Sequence, residues 1–386
     1  MVRLGDICEI QSGGTPARSK RDYWENGTIP WVKISDIKGK HLENTEEFIT
    51  DEGLKNSSAK VFPKGTILYT IFATLGETCI LDIDAATNQA IAGITIKCDG
   101  VYREYLYYYL SSLKSEVNQM GRGVAQNNIN MSILRNLPIQ LPPLDEQHRI
   151  AATLDKVTDL ISKRRQQLDK LDELVKARFV EMFGDTVINP HELPSVCLSN
   201  FADIVSGITK GRKTSGEELF EVPYMAVSNV KSGYIDWTTV KTIEATKSEI
   251  EQYRLQSFDV LMTEGGDPDK LGRGAIIQNP PKDCIHQNHI FRVRVDSSCL
   301  LPQYLEEYLQ HPKAKKYFLG CAKQTTGIAS INMTQLRNLP VLLPSLEQQK
   351  KFSDFTEQIS HHKLTIQRSL DKMETLKKAL MQQYFD

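Results

Sequence analysis

Asn130-Met131-Ser132-Ile133-Leu134-Arg135-Asn136-Leu137-Pro138 is written a second time in the chain, as Asn332-Met333-Thr334-Gln335-Leu336-Arg337-Asn338-Leu339-Pro340. The blocks lie 202 residues apart and agree at seven of nine positions, which chance does not produce. Both continue into a proline-bounded start, Leu141-Pro142-Pro143-Leu144-Asp145-Glu146-Gln147 and Leu343-Pro344-Ser345-Leu346-Glu347-Gln348-Gln349. Weaker echoes lie upstream. Glu9 to Thr15 resembles Asp203 to Thr209, Ile29 to Ile37 resembles Val222 to Val230, and Phe62 to Thr70 resembles Leu255 to Thr263. Self-similarity of this extent means two copies of one module. Between these islands the copies differ freely. A shared frame with different faces suits two modules that do the same task on different targets.

Each module opens with short apolar-alternating stretches between Gly, Pro, Asn and Asp, such as Thr66 to Phe72 and Ile290 to Val295, which read as strands. A short helix then follows, Tyr102 to Gln119 in one copy and Pro302 to Gly320 in the other. The expected class is α+β, with two mixed α/β modules in tandem. The boundaries read as a first module over 1–142, a central helix over 143–184, a second module over 185–343 and a terminal helix over 344–386.

After each proline-bounded start the pattern changes. Asp145 to Phe183 contains no Pro or Gly, and Gly184 supplies a stop. Apolar residues recur at Ile150, Leu154, Val157, Ile161, Leu168, Leu171, Val175 and Met182, with one polar gap near Arg164. The second copy gives Phe352, Phe355, Ile359, His362, Ile366, Ser369, Met373, Leu376 and Leu380. Alternating steps of three and four make a coiled-coil seam, and Ser345 with Gln348 fits a capping box. A helix of nearly forty residues is about 55–60 Å long at ~1.5 Å per residue, longer than a module is wide. Each seam therefore needs a partner outside its own module, and the other helix is the obvious one. Short connections favour an antiparallel pair with the modules related by a pseudo-two-fold axis.

The 386 residues exceed one typical domain, and 40% hydrophobic with 25% charged residues is ordinary for globular modules. The formal net charge of -1 rules out an overall basic protein, but nucleic-acid binding needs only a basic face. The N-terminus lacks a signal-peptide pattern, no apolar run approaches membrane-spanning length, and seven cysteines without a Cys-x-x-Cys pair suggest reduced thiols. A cytoplasmic protein with no membrane partner is expected.

Two symmetric readers held apart by a rigid spacer match DNA, whose half-sites recur on one face about every 34 Å. Here the chain strongly resembles the specificity subunits of Type I restriction-modification systems. The resemblance spans essentially the whole chain. It rests on Leu137 to Gln147 and Leu339 to Gln349, on Ser12-Gly13-Gly14-Thr15-Pro16, and on Asn88-Gln89-Ala90-Ile91 with Gln287-Asn288-His289-Ile290. It implies that each module is a target recognition domain reading one half of a bipartite, asymmetric double-stranded DNA site. It implies that the helices space these domains and dock two modification subunits, forming an adenine-N6 methyltransferase that uses S-adenosylmethionine. Two restriction subunits, where present, add an ATP- and Mg-dependent nuclease, and no cofactor is implied for this chain itself. The copies depart from one another where Thr325 to Ser330 replaces Gly121 to Asn128, so those loops do not carry over residue for residue.

Base readout needs Arg or Lys for guanine and Asn or Gln for adenine, and phosphates need Lys, Arg, hydroxyls and backbone amides. The candidates in the first module are Gly13, Gly14, Thr15, Arg18, Lys20, Arg21, Lys33, Ser35, Lys38, Gln89, Arg122, Gln126 and Asn127. Those in the second are Lys210, Arg212, Lys213, Ser228, Asn229, Lys231, Arg273, Gln287, Asn288, His289, Lys323 and Thr326. Three lookalikes carry less. Asn279-Pro280-Pro281-Lys282 has no aromatic to stack on a flipped base, and Cys284, His286 and His289 lack a fourth zinc ligand. Gly121-Arg122-Gly123 and Gly272-Arg273-Gly274 lack the Gly-Lys-Ser/Thr ending of a phosphate loop. No acid-base pair, nucleophile triad or nuclease cluster stands out, so recognition and scaffolding are expected here, with metal and catalysis elsewhere. The competing readings are a coiled-coil scaffold whose modules bind proteins or sugars, and a self-sufficient methyltransferase.

Overall fold

The computed structural model describes residues 1–121, 128–213, 216–267, 271–325 and 328–385. Contacts divide the chain into two compact units, Met1–Arg165 with Arg368–Asp386, and Gln166–Gln367. Each unit thus holds one module and half of each long helix.

The first unit is built on a five-stranded sheet in the order Cys8–Ser12, Ile91–Ile96, Ile67–Thr70, Thr78–Leu81, His41–Leu42. Its central strands read as continuous apolar runs because both faces are covered, and all four residues of Ile67–Thr70 are buried. A second sheet runs Glu47–Ile49, Ile29–Val32, Ala85–Thr87, Val61–Phe62, with Ile29–Val32 and Ala85–Thr87 parallel. The second unit repeats this plan. Ala202–Ser206, Ile290–Val295, Val260–Thr263 and Gly274–Ile276 make one sheet. Lys241–Ala245, Phe220–Met225 and Ile285–His286 make another, again with a parallel pair.

The expected short helices are each two helices, Arg103–Ser112 with Lys114–Gly121, and Pro302–Tyr308 with Pro312–Cys321. Pro312 has no N–H to extend the preceding helix and instead starts a new one.

The repeated nine-residue block is a structural fastener. Asn130 caps the helix Met131–Arg135 by accepting from Ile133 N–H (2.9 Å), and Asn332 caps Met333–Arg337 by accepting from Gln335 N–H (2.9 Å). Leu134 and Leu336 are fully buried. Arg135 donates to the Ile10 carbonyl (3.1 Å) and Arg337 to that of Ile204 (3.4 Å), tying each block to the first strand of its main sheet.

The glutamine that ends each proline-bounded start, Gln147 or Gln349, is fully buried. The Gln147 carbonyl oxygen accepts from Tyr102 N–H (2.8 Å), and its amide donates to Gly100 O (3.0 Å) and Pro142 O (2.9 Å). Gln349 accepts from Leu301 N–H (2.8 Å) and donates to Cys299 O (3.0 Å) and Pro344 O (3.0 Å). Each side chain thereby locks the first turn of a long helix to the loop before the short helices. Tyr105 and Tyr109 reinforce the joint by donating to Gln140 O (2.8 Å) and Pro138 O (3.0 Å), as Tyr304 and Tyr308 do to Leu342 O (2.7 Å) and Pro340 O (2.6 Å).

The long helices span Leu144–Phe183 and Leu346–Phe385, and Ser345 and Gln348 form the expected capping box. In the first unit Ile150, Ala151 and Leu154 share one core with Phe385, against which Leu380, Met381 and Tyr384 pack. Val157 and Ile161 are buried, and Arg165 pairs with Glu374 (2.6 Å). In the second unit Phe179 and Phe183 meet Phe352 at 5.4 and 5.7 Å between ring centroids, and Lys363 pairs with Asp172 (2.5 Å). Ile359 is buried, while Leu168, Leu171, Val175, Phe355, Ile366 and Met373 are half-buried.

Two positions of the expected seam are corrected. Leu376 is 49% exposed and His362 is exposed, while Leu370 is buried. The inward row runs Ile359, Lys363, Ile366, Leu370, Met373, Lys377. A three-four alternation can be entered in two phases, and lysine stems cover apolar surface as well as leucines do. Burial, with Arg165 beside it, holds the Lys377 ammonium below its usual range.

Replacing Gln349 with Leu strands Leu301 N–H and two carbonyls in the interior, at a cost of about 2–4 kcal/mol. Denaturant titration should show the second unit unfolding earlier. An unchanged midpoint would mean that the joint does not depend on this side chain.

Candidate nucleic-acid interface

Three segments meet in each unit. In the first, Gly14 N–H donates to Thr87 O (2.8 Å) and Asn88 N–H to Val32 O (3.1 Å). The loop after Cys8–Ser12, the end of Ile29–Val32 and the loop before Ile91–Ile96 are thereby drawn together. In the second, Ile208 N–H donates to His286 O (2.8 Å) and Gln287 N–H to Met225 O (3.0 Å), bringing the equivalent segments together. Gly13 and Gly207 are required by this crossing. A methyl group on Gly13 would overlap the Thr87 backbone, and one on Gly207 the His286 carbonyl.

In the first unit Arg18, Lys20, Arg21, Ser35, Lys38 and Gln89 are exposed, with Thr15 half-buried. The Thr15 hydroxyl donates to the Gln89 amide oxygen (2.5 Å). The Arg18 guanidinium lies 3.7 Å from the centroid of Trp24 and 4.8 Å from that of Trp31, a cation–π platform. Trp31 is anchored by its indole N–H to Gly14 O (3.0 Å). Glu47 pairs with both Arg18 (2.5 Å) and Lys33 (3.2 Å), and Glu46 also takes Lys33 (2.8 Å). Burial pushes the Glu47 carboxyl up, but these two cations hold it below its usual range. The Lys20 ammonium donates to Tyr23 OH (2.9 Å), which raises its pKa, and Arg21 lies 3.8 Å from Glu25.

In the second unit Lys210, Lys213, Ser228, His289 and Lys323 are exposed. Arg212, the repeat equivalent of Arg18, is also held by a glutamate. Its Nη2 lies 2.5 Å from Glu249 and 3.0 Å from Glu244 O, and this hydrogen bond holds the Glu249 carboxyl below its usual range. The half-buried Gln287 accepts from Val227 N–H (3.2 Å), and the half-buried Asn288 has its backbone carbonyl engaged by the Ser206 hydroxyl (2.6 Å). Lys231 is half-buried. Lys323 belongs to a neighbouring patch, where Lys323–Thr325, Ile328–Ser330 and Gly265–Gly266 form a small sheet, and the half-buried Arg273 has its backbone carbonyl engaged by Thr263 N–H (3.1 Å). His289 joins that patch through Glu264 (2.5 Å). Arg122, Gln126, Asn127 and Thr326 lie outside the described residues.

Asn229 is not available to read a base. It is fully buried, accepts from Ala226 N–H (2.9 Å), and donates to Asp236 O (2.9 Å) and the Thr239 hydroxyl (3.2 Å). Its repeat equivalent Asp36 likewise accepts from Lys33 N–H (2.9 Å), so a turn-holding side-chain oxygen is what both copies need. The Trp24–Trp31 platform and the neutralising glutamates were missed in sequence, because their pairing is through space. Trp31 within Ile29-Pro30-Trp31-Val32 was the one available signal.

Asn279 occupies a left-handed turn (φ 48°), and Lys282 is exposed. Cys284 is buried with its thiol pushed up to about 12 by burial. His286 is buried between Tyr253 O (3.1 Å) and Val205 O (3.3 Å), and burial lowers its pKa to about 4. Among the described residues no group of His, Cys, Asp and Glu could hold a metal, and no helix is long and apolar enough to cross a membrane.

A family model described as the Type I restriction modification DNA specificity domain matches the chain twice, over residues 1–172 and 191–374. The chain belongs to this family. It is 24% identical over 399 residues to the MjaIX specificity subunit of Methanocaldococcus jannaschii, spanning 98% of this chain and 90% of that one. It is 20% identical over 372 residues to the EcoKI specificity subunit of Escherichia coli K12, spanning 91% and 79%. The fold is similar to the S subunit from M. genitalium, with a TM-score of 0.56, 14% identity and coverage of 100% and 95%. A chain from a structure describing complex assembly and conformational transition of the type I R-M system gives a TM-score of 0.58, 19% identity and coverage of 100% and 96%. The two matches make the repeat units two tandem specificity domains, each with the converging loops described above.

Asn229→Ala removes three buried hydrogen bonds and should cost about 1–3 kcal/mol while leaving sequence preference unchanged. Thermal melting and the methylated sequence of the reconstituted complex read the two effects. A changed sequence without loss of stability would return Asn229 to the reading face.

Proposed function

We propose that this chain is the non-catalytic DNA-reading subunit of a Type I restriction-modification complex, with each specificity domain reading one half of a bipartite, asymmetric double-stranded DNA site. The observation that carries this reading is the repeated convergence of three loops. The same backbone crossings hold both faces, while the side chains on them differ, Lys33 and Gln89 in one copy standing where Ala226 and Asn288 stand in the other. Exposed Lys20, Arg21, Lys38, Lys210 and Lys213 supply phosphate contacts. Arg18 and Arg212, pre-positioned by glutamates, can exchange a carboxylate for a phosphate or a guanine edge.

The long helices pair in this reading as an antiparallel coiled coil that spaces the readers. The pairs Arg165–Glu374 and Lys363–Asp172, and the shared cores of Ile150 with Phe385 and of Phe179 with Phe352, support it. Two modification subunits dock on these helices and carry S-adenosylmethionine for adenine-N6 methylation. Restriction subunits, where the system has them, bring ATP and Mg.

Exchanging residues 1–140 for those of another family member should change one half of the methylated sequence and leave the other half and the spacing intact. Sequencing of modified adenines reads the outcome. A change in both halves would overturn the modular reading.

A further inference from the structure

The polar side chains of the converging loops divide into those that differ between the units and those that recur. Lys33, Gln89 and Ala90 are replaced by Ala226, Asn288 and His289, whereas Thr15, Arg18, Ser35 and Lys38 recur as Thr209, Arg212, Ser228 and Lys231. Every recurring group is a hydroxyl or a cation, the donors that a phosphate accepts. The arginine stands out among them because it is kept while its holder is not. Glu47 pairs with Arg18 from the strand Glu47–Ile49, and Glu249 pairs with Arg212 from the helix Lys247–Tyr253. Neither glutamate has a counterpart in the other unit. Glu47 lies opposite Trp31 in its strand ladder, but Lys241 lies opposite Tyr224, the equivalent of Trp31. Glu249 is the third residue of the helix that Thr246 caps, but Gly53 is the third residue of the helix that Thr50 caps. A carboxylate is thus supplied from two unrelated places to hold one arginine, so the arginine is what both units need.

A guanidinium paired with a carboxylate gives up charge-assisted hydrogen bonds when it turns to a ligand. A phosphate returns bonds of the same kind, whereas a neutral guanine edge returns bonds about half as strong. Release strands neither carboxylate. Glu47 keeps Lys33 (3.2 Å) when Arg18 leaves, and Glu249 keeps the Thr246 N–H (2.9 Å) when Arg212 leaves. We propose that Arg18 and Arg212 make the same phosphate contact in the two half-sites and read no base, and that base choice falls to the side chains that differ between the units. A residue that serves two domains with different targets has to be indifferent to the target. The phosphate backbone is the feature that any two half-sites share. This assignment rests on the DNA-reading function proposed above.

The full chain reconstituted with its modification subunits tests the assignment through two readouts, the salt dependence of duplex binding and the sequence of the methylated motif. Arg18→Ala and Arg212→Ala should each weaken binding about tenfold, on a duplex carrying the wild-type motif and on a scrambled duplex alike. Each should also make the fall of log affinity with log salt shallower by about 0.9, and the double variant should show both losses. Arg18→Gln and Arg212→Gln, which can still donate to their glutamates, should give the same losses, so a lost charge is told apart from a folding defect. Arg18→Lys and Arg212→Lys should recover most of the salt slope. The methylated motif should be the same in every variant. A relaxed or altered base at any position of the motif would overturn the assignment, because the arginine would then be reading that base. An unchanged salt slope in the glutamine variants would overturn it as well. A wild-type complex that binds and methylates no DNA would overturn the function proposed above, and the assignment with it.

Discussion

A buried primary amide at the base of each long helix is the interaction on which the rest of the structure depends. Gln147 and Gln349 are each enclosed, and each makes three hydrogen bonds to backbone groups that come from both the helix start and the module. An interior amide with all partners in place fixes orientation tightly, since any tilt strands polar groups without water. Each glutamine thereby ties the start of its long helix to the module it leaves. The tyrosine pairs Tyr105 with Tyr109 and Tyr304 with Tyr308 close the same joint from the short helices.

The reading faces follow a different rule. Their backbone crossings are the same in both units, but their charges are balanced locally. Arg18 and Lys33 answer to Glu46 and Glu47, and Arg212 answers to Glu249. In the proposed function this is how a chain of net charge -1 presents cations to DNA. The carboxylates hold the long side chains in place, and in the proposed function they give way to a phosphate or base edge, so part of the ordering entropy is met before binding. In the proposed function the exposed Lys38, Lys210 and Lys213 give the long-range attraction.

The duplication, the strand-rich modules and the two forty-residue helices were all legible in the sequence, because repetition and apolar period are local signals. The capping box at Ser345 and Gln348 was legible for the same reason. Along the second long helix Phe352 and Ile359 are buried and Ile366 and Met373 half-buried, while Leu376 is exposed, since a lysine stem at Lys377 can take a place that hydrophobicity assigns to leucine. The paired helices inside 102–119 and 302–320 needed the chain-stopping effect of Pro312 to be weighed against apolar spacing. On the candidate face, the glycine loops and the exposed cations were found from composition. Asn229 was misjudged because an asparagine that holds a turn looks the same in sequence as one that reads adenine. Trp24 beneath Arg18 was out of reach, since only the folded chain brings them to 3.7 Å.

In the proposed function two tandem domains of one frame and different faces read two separate pieces of DNA. Mapping methylated adenines across the genome, in cells with and without this chain, tests it most directly. The expected result is a set of methylated adenines, lost with the chain, that lie in a motif of two defined parts separated by a fixed number of unspecified base pairs. Methylation that is unchanged on removal of the chain, or lost from a single uninterrupted motif, would contradict it.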